Sequence, residues 1–211
     1  MEKTKIGIMG GTFDPIHNGH LIIAENSRIN FDLEEIIFIP TGIPAHKLEN
    51  RITYSDYRYE MVLLSINSNP YFSLSSMEIE RNGITYTIDT IKKLQKLNKK
   101  VEYYFIIGED SLYNIHTWKD YSELLNICKF IVAKRKSKDN NLETRIRELN
   151  DMHPDSIYLL ESPRIDISST DIRNSVIRGK SIKYLVPEAV ELYIKKHRLY
   201  GGEGIDRELD V

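Results

Sequence analysis

The sequence predicts an α/β protein with a single doubly wound, mostly parallel sheet. Short apolar runs alternate with segments of helical periodicity along the 211 residues, which is the pattern of strands and covering helices. The first apolar run passes straight into two glycines, and later runs also end in glycine or polar residues. Because the carboxyl ends of parallel strands line the ligand crevice of such a sheet, we expect the functional residues there.

The first predicted strand leads into a glycine turn that is typical of phosphate binding. Residues 6–9 are followed by Gly10 and Gly11, a polar turn that contains Pro15, and a helical pattern from Leu21 onward. Glycine lets backbone N–H groups approach an anion, and the N-terminus of a helix adds the positive end of its dipole. This turn therefore predicts a phosphate site.

His17 and His20 stand at the start of this first helix. Residues three apart on a helix share one face, so both imidazoles are expected to project toward the same guest. The spacing of the glycines matches neither the P-loop nor G-x-G-x-x-G. Two histidines supply only two metal ligands, so we predict no metal-ligating residues here. A helix cap with two solvated histidines is the alternative interpretation.

The remaining elements follow from apolar runs and helical spacing. Strands are predicted over residues 35–40, 72–80, 102–107, 129–133 and 156–160. Helices are predicted over residues 54–66, from 85, from 118, over 141–149, from 168 and over 187–198. In the first of these helices Tyr57, Met61 and Leu64 have the spacing of a buried stripe.

A second motif occupies residues 167–173, which read ISSTDIR. Ser168 and Asp171 have the S-x-x-D spacing of a capping box, so a helix is expected to begin here with backbone N–H groups able to bind an anion. Arg173 lies one turn into that helix, where its planar guanidinium can hold two phosphate oxygens. A capped helix with an exposed arginine explains the same residues taken alone.

Further candidates follow the ends of other predicted strands. Gly108 and Asp110 come directly after the strand at 102–107, and a carboxylate there suits ribose hydroxyls or a metal ion. Lys47 and Arg135 follow two other strands, where a cation can reach phosphate. Solvated side chains are the alternative explanation for both cations.

Thr85, Tyr86 and Trp118 are candidates for contact with a small ligand. Hydroxyl residues crowd the entrance of the helix that begins near residue 85, where one of them is needed as the cap. Trp118 is the only tryptophan, and it either packs or provides an aromatic plate for a flat ring.

The composition limits the possible functions. With 41% hydrophobic residues, a single domain with a full core is expected. The net charge of −2 gives no basic face, which disfavours a nucleic-acid partner. One cysteine, Cys128, allows no internal disulfide, and no apolar run has the length of a membrane span. We therefore expect a cytoplasmic protein without membrane contact.

Two stretches carry a resemblance to a known family. GGTFDPIHNGH at residues 10–20 and ISSTDIR resemble the two signatures of the HxGH nucleotidyltransferases, which transfer AMP or CMP from a nucleoside triphosphate. The resemblance spans about residues 4–200 and looks closest to the bacterial nicotinate-nucleotide adenylyltransferase branch, to which residues 44–47, 85–90, 108–110 and Trp118 point. It implies a Rossmann-like nucleotidyltransferase domain over residues 1–200 and a mobile tail over residues 201–211.

The resemblance also implies roles for individual residues. His17, His20 and Arg173 are expected to be catalytic. The expected ATP contacts are Gly10, Gly11, Thr12, Phe13, His17, His20, Gly108, Asp110, Ser168, Ser169, Thr170 and Arg173. The expected mononucleotide contacts are Lys47, Thr85, Tyr86, Trp118 and Arg135, with Trp118 stacked on the pyridine ring. Relatives commonly follow the arginine at position 135 with Pro-Gly, whereas Lys136 and Ser137 follow it here.

The implied reaction joins ATP and nicotinate mononucleotide to give nicotinate adenine dinucleotide and pyrophosphate, a step of NAD biosynthesis. Mg²⁺ is expected to arrive with ATP, because a triphosphate binds it. The expected partners are these two substrates, with no nucleic acid and no membrane, and a homo-oligomer is left open.

Three alternatives are kept. A sister transferase would use nicotinamide mononucleotide or phosphopantetheine, and the latter would leave Trp118 without a ring to stack on. A fragment of a class I aminoacyl-tRNA synthetase would share the HIGH-type helix, but the capped ISSTDIR helix and the acidic charge balance argue against it. A non-catalytic nucleotide sensor would bind ATP without releasing pyrophosphate.

Overall fold

The fold, taken from a computed structural model, is described over residues 3–44, 52–134, 141–163 and 165–201. In chain order the strands are β1 (Thr4–Gly11), β2 (Glu35–Pro40), β3 (Ile43–Pro44), β4 (Phe72–Leu74), β5 (Ile84–Thr85), β6 (Val101–Gly108), β7 (Lys129–Ala133) and β8 (Ile157–Leu160). Six of them form one sheet in the order β4-β2-β1-β6-β7-β8, and every neighbouring pair is parallel. The predicted doubly wound sheet is confirmed, with its winding reversed between β1 and β6.

Helices pack on both faces of this sheet. They are α1 (Asn18–Asn30), α2 (Ser55–Ile66), α3 (Thr87–Leu97), α4 (Glu109–Tyr113), α5 (Tyr121–Ile127), α6 (Leu142–Met152), α7 (Ser169–Ile177) and α8 (Glu188–Lys196), with a 3₁₀ helix at Ile115–Thr117. None of the helices in the described ranges combines the length and the apolar character needed to cross a membrane.

Successive residues of the central strands contribute to opposite sides of the core. In β1, Met9 packs into a cluster with residues of α1, α2, α7 and α8, whereas Ile8 packs into a second cluster with residues of α3 to α6. In β6, Ile106 and Phe105 alternate in the same way. The central strands are therefore buried on both faces, which explains their nearly continuous apolar sequences.

Two predicted elements differ from the structure. The strand predicted over residues 72–80 ends at Leu74, where the chain leaves the sheet. Trp118 was expected at the start of a helix, but it follows the 3₁₀ helix and α5 begins only at Tyr121. This leaves Trp118 in an extended conformation between two helical segments.

The buried face of α2 also differs from the predicted stripe. Met61 is buried as predicted, but Leu64 is 38% exposed, because the buried face of the helix continues through Arg58 and Val62. At the other end of the chain, Leu199 and Tyr200 are buried in the core. Residues 202–211, which make up most of the predicted tail, lie outside the described residues.

A small second sheet lies beside the main one. β3 pairs with β5 in parallel, so that Pro44 is opposite Thr85. Gly42, which leads into β3, runs against the backbone of Glu78, and a Cβ atom on Gly42 would lie 2.3 Å from the carbonyl oxygen of Glu78. Only glycine fits this close approach of two backbone segments.

We expect Gly42→Ala to lower the free energy of unfolding by about 3 kcal/mol, because two backbone segments must move apart. Gly179→Ala is the control, since Gly179 has a φ of +64° and no atom within 4 Å of an added Cβ. Gly179→Ala should lower the free energy of unfolding by only about 1 kcal/mol, through backbone strain alone. Urea denaturation of both variants measures the difference, and equal costs would contradict the close approach.

Candidate active site

The carboxyl ends of β1 and β6 lie side by side where the winding of the sheet reverses. β1 ends at Gly11 and is followed by residues 12–17, which we call the β1–α1 turn. β6 ends at Gly108, where α4 begins. A crevice at this place is where doubly wound sheets bind ligands, so both predicted glycine segments are at the expected edge.

The second motif docks on the β1–α1 turn. Ser169 Oγ donates to the carbonyl oxygen of Pro15 at 2.8 Å, and Arg173 Nη1 donates to the carbonyl oxygen of Asp14 at 2.7 Å. Ser168 caps α7 as predicted, since its Oγ accepts from the Asp171 N–H at 3.1 Å, and its hydroxyl donates to the Asp171 carboxylate at 2.6 Å. Motifs that are 154 to 159 residues apart in sequence thus form one structure.

His17 and His20 form a stacked pair with ring centroids 3.7 Å apart and an interplanar angle of 26°. This confirms that the two imidazoles share one face of α1. The backbone N–H of His17 donates to Nδ1 of His20 at 3.2 Å. Because Nδ1 accepts, a neutral His20 carries its proton on Nε2, which becomes a donor. His17 is 3% exposed and His20 is half-buried, so His20 is the more accessible of the two.

The backbone at the start of α1 is already partly used. The N–H of Asn18 donates to the carbonyl oxygen of Leu185 at 2.9 Å, and its side-chain amide donates to the carbonyl oxygen of Tyr184 at 2.6 Å. The backbone N–H of Asn18 is therefore not available to a phosphate in this structure. The histidine side chains and the dipole of α1 also contribute positive potential at this helix end.

Two aromatic rings, Phe13 and Phe105, pack against the glycines at the end of β1, and Phe13 also packs against His20. Phe13 has a φ of 51°, is 3% exposed, and meets His20 edge-on with ring centroids 5.2 Å apart. A Cβ on Gly10 would lie 2.6 Å from the Phe105 ring, and one on Gly11 would lie 3.3 Å from the Phe13 ring. The structure thus explains these three residues by packing, and their contact with ATP stays a prediction.

Three of the predicted mononucleotide residues, Thr85, Tyr86 and Trp118, form a second group beside the small β3–β5 sheet. Thr85 is buried and its Oγ1 donates to the carbonyl oxygen of Ile43 at 3.2 Å. Tyr86 is the residue directly before α3, although its side chain makes no capping hydrogen bond, and the Lys119 ammonium lies 4.6 Å from the centre of its ring. Since Trp118 precedes Lys119 in the chain, the structure brings Tyr86 and Trp118 into one neighbourhood.

The Trp118 ring is anchored by two aromatic contacts. It meets Phe105 edge-on at 6.1 Å and Phe130 at 6.4 Å between ring centroids, while the residue stays half-buried. Lys47 and Arg135, also predicted to contact the mononucleotide, lie outside the described residues.

The acidic residues after β6 divide into two environments. Gly108 caps α4, Glu109 is fully buried, and Asp110 is exposed in the first turn of that helix. Asp110 is thus the carboxylate at this strand end that a soluble ligand can reach. Its contact with a ribose stays a prediction.

Sequence reasoning missed a buried polar cluster behind the β1–α1 turn. Tyr200 Oη donates to Asp14 Oδ1 at 2.8 Å, and the Thr53 N–H approaches Asp14 Oδ2 at 3.4 Å. Burial and the neighbouring Asp14 carboxylate raise the pKa of Tyr200 well above its ordinary value. No pattern in the sequence links residues 186 positions apart, so only the fold reveals this contact.

Comparison with known proteins identifies the family. A family model described as cytidylyltransferase-like matches residues 8–175. The chain belongs to the cytidylyltransferase-like family. The β1–α1 turn, both histidines and the start of the docked α7 helix all lie within the matched range of this cytidylyltransferase-like chain.

Curated relatives of this cytidylyltransferase-like chain cover almost all of it. A protein of Thermoanaerobacter sp. (strain X514) named probable nicotinate-nucleotide adenylyltransferase is 46% identical over 201 residues, 94% of this chain and 95% of the relative. A protein of the same name from Moorella thermoacetica is 48% identical over 198 residues, 93% and 91% of the two chains. The resemblance to nicotinate-nucleotide adenylyltransferases is confirmed.

Solved structures support the fold. Nicotinic acid mononucleotide adenylyltransferase of Plasmodium falciparum, in complex with NaAD, superposes with a TM-score of 0.75 at 24% sequence identity and covers 93% of this chain and 97% of its own. At this identity the match establishes the cytidylyltransferase-like architecture, and the roles of individual residues are argued from the geometry above.

We expect Tyr200→Phe to lower the free energy of unfolding by about 2 kcal/mol, because the buried Asp14 carboxylate loses a hydrogen-bond donor. Tyr193→Phe is the matched control, since the half-buried Tyr193 ring packs on Tyr57 and His197 at the surface of α8. Urea denaturation of both variants tests this. A loss at Tyr200 no larger than at Tyr193 would contradict the structural role of the buried pair.

Proposed function

We propose that the chain transfers AMP from ATP to nicotinate mononucleotide, giving nicotinate adenine dinucleotide and pyrophosphate. The observation that carries the proposal is the docking of α7 on the β1–α1 turn, which gathers Arg173, His17 and His20 at one edge of the sheet. Relatives that cover nearly the whole chain are named for this activity, which supports the choice of acceptor.

The chemistry requires positioning and charge stabilisation. A phosphate oxygen of the mononucleotide attacks the α-phosphorus of ATP, so a new P–O bond forms as the bond to the β-phosphate oxygen breaks opposite it. The nucleophile is already an anion, and therefore no general base is needed. The rate then depends on holding the two substrates in line and on donors placed where negative charge develops.

His20 supplies a donor at the reacting phosphate in this mechanism. Its Nδ1 is engaged by the His17 backbone N–H, so Nε2–H is the group directed at the α-phosphoryl oxygens. His17 stacks on the His20 ring and limits its rotation, which keeps this donor in place. The two residues thus act as one unit.

Arg173 is assigned to the β- and γ-phosphates, which become the leaving pyrophosphate. Two of its guanidinium nitrogens bind the Asp14 carbonyl oxygen and Thr170 Oγ1, at 2.7 and 3.3 Å. The guanidinium has five N–H groups, so donors are left for phosphate oxygens. Ser169 uses its hydroxyl on Pro15 and is assigned to holding α7 in position.

Mg²⁺ enters as part of the MgATP substrate and neutralises phosphate charge. Within the described ranges the protein presents no group of three or more His, Cys, Asp or Glu side chains placed to hold a metal ion. A triphosphate offers the oxygen ligands that Mg²⁺ prefers, so the ion is expected to be bound through the phosphates of ATP.

The proposal is tested by measuring pyrophosphate release with ATP and Mg²⁺ and one of three acceptors: nicotinate mononucleotide, nicotinamide mononucleotide or phosphopantetheine. We expect a clear preference for nicotinate mononucleotide. Preference for either other acceptor would retain the phosphate chemistry and overturn the acceptor assignment. ATP binding without pyrophosphate release with all three would overturn the proposal in favour of a nucleotide sensor.

We expect His20→Ala to lower kcat by about 100-fold or more, because a donor to the transition state is lost. The KM for ATP should change much less. His153→Ala is the control, since His153 follows α6 and bonds Asn126 at 2.8 Å, away from the crevice. Steady-state pyrophosphate release gives both constants, and near wild-type turnover of His20→Ala would rule out its assigned role.

Trp118→Ala should raise the KM for nicotinate mononucleotide about fivefold, because the pyridine ring loses its stacking partner. The KM for ATP is expected to stay within about twofold of wild type. Trp118→Phe keeps an aromatic ring and should recover most of the loss. Equal effects on both substrates, with a lowered melting temperature, would instead assign Trp118 to core packing on Phe105 and Phe130.

A further inference from the structure

Arg58 is a fully buried cation on α2. Its side chain donates to four backbone carbonyl oxygens: Nε to Thr53 at 2.8 Å, Nη1 to Thr12 and to Thr41 at 2.8 Å each, and Nη2 to Gly42 at 3.2 Å. Carbonyl oxygens carry partial negative charge, so they offset the cost of removing the guanidinium from water.

These acceptors belong to segments that are separate in the chain. Thr12 lies in the β1–α1 turn, Thr41 and Gly42 follow β2, and Thr53 precedes α2. The planar fork of an arginine presents five N–H groups in fixed directions, whereas a lysine ammonium has three donors on one nitrogen. Arginine is the side chain that can hold all three segments at once.

The contacts of Arg58 continue to both proposed substrate subsites. On one side, Thr12 opens the β1–α1 turn, which ends at His17 and leads into α1 with His20. On the other side, Gly42 leads into Ile43, whose carbonyl oxygen accepts from Thr85 Oγ1 at 3.2 Å. Bonds through one rigid guanidinium therefore join the ATP side of the crevice to the mononucleotide side.

The surroundings of Gly42 make this connection stiff. Its backbone runs against the carbonyl oxygen of Glu78, so the segment has little room to shift. Thr90 Oγ1 donates to the buried Glu78 carboxyl group at 2.6 Å, which fastens this segment to α3. A displacement at Thr12 is thus passed to the second subsite rather than absorbed by a loose loop.

We propose that Arg58 is a positioning residue that couples the two subsites, so that binding of one substrate raises the affinity for the other. The proposal rests on the two-substrate function given above. ATP that orders the β1–α1 turn also orders the guanidinium and, through it, the backbone at Thr41, Gly42 and Thr85. The mononucleotide then binds to a subsite that ATP has already ordered. Less conformational entropy is lost in this second binding step, so the mononucleotide binds more tightly.

The test is calorimetric titration of nicotinate mononucleotide with and without saturating α,β-methylene-ATP and Mg²⁺. In the wild-type protein we expect the analogue to tighten mononucleotide binding about fivefold or more, the lower range of typical coupling. In Arg58→Lys, which keeps the charge but loses the fork, the factor should fall below about twofold. Arg145→Lys, on the surface of α6 and paired with Glu148, should keep the wild-type factor.

The outcomes separate coupling from simple structural support. Arg58→Lys with a lowered melting temperature, weaker binding of each ligand alone and an unchanged coupling factor would overturn the proposal. Wild-type protein without any coupling would also overturn it. Failure of the proposed function is distinct, because then the wild-type protein would not release pyrophosphate from ATP and nicotinate mononucleotide at all.

If Arg58→Lys does not fold, hydrogen exchange of the wild-type protein gives the answer. α,β-Methylene-ATP alone should then slow exchange of the amides of Gly42, Thr53 and Thr85, which lie on the far side of Arg58 from the β1–α1 turn. Protection confined to the β1–α1 turn and the start of α7 would overturn the coupling.

Discussion

Two hydrogen bonds from α7 to the β1–α1 turn organise the whole site. Ser169 and Arg173 donate to the carbonyl oxygens of Pro15 and Asp14, and these bonds fix the second motif against the first. Without them the sheet would present two separate helix ends with weak local dipoles. With them, an arginine and a histidine pair form one positively polarised surface, which is what a triphosphate requires.

Buried polar groups beneath the β1–α1 turn restrain the backbone that carries this phosphate-binding surface. Tyr200 and the backbone of Thr53 hold the Asp14 carboxylate, and Arg58 holds the carbonyl oxygen of Thr12. Each bond restrains backbone of the β1–α1 turn, so part of the ordering is complete before substrate arrives and ATP binding supplies the rest. Catalysis by positioning depends on such prior ordering, because entropy lost during folding does not have to be lost again in the reaction.

Local patterns in the sequence predicted the sheet, the glycine turn, the histidine pair and the α7 cap, because each depends on residues within one turn or one strand. The contacts between motifs were not predictable, since nothing in the spacing of Asp14 and Tyr200 marks them as partners. Arg58 left one signal: it occupies a buried position one turn before Met61. A charged residue on the apolar face of a helix points to buried acceptors but does not name them.

The most direct test is a crystal structure with α,β-methylene-ATP, Mg²⁺ and nicotinate mononucleotide bound together. We expect the α-phosphoryl oxygens within hydrogen-bond distance of His20 Nε2 and the β- and γ-phosphates on Arg173. The mononucleotide phosphate should lie opposite the bridging methylene group, in line for attack. A triphosphate bound away from the β1–α1 turn, or an acceptor phosphate on the same side as the leaving group, would contradict the account.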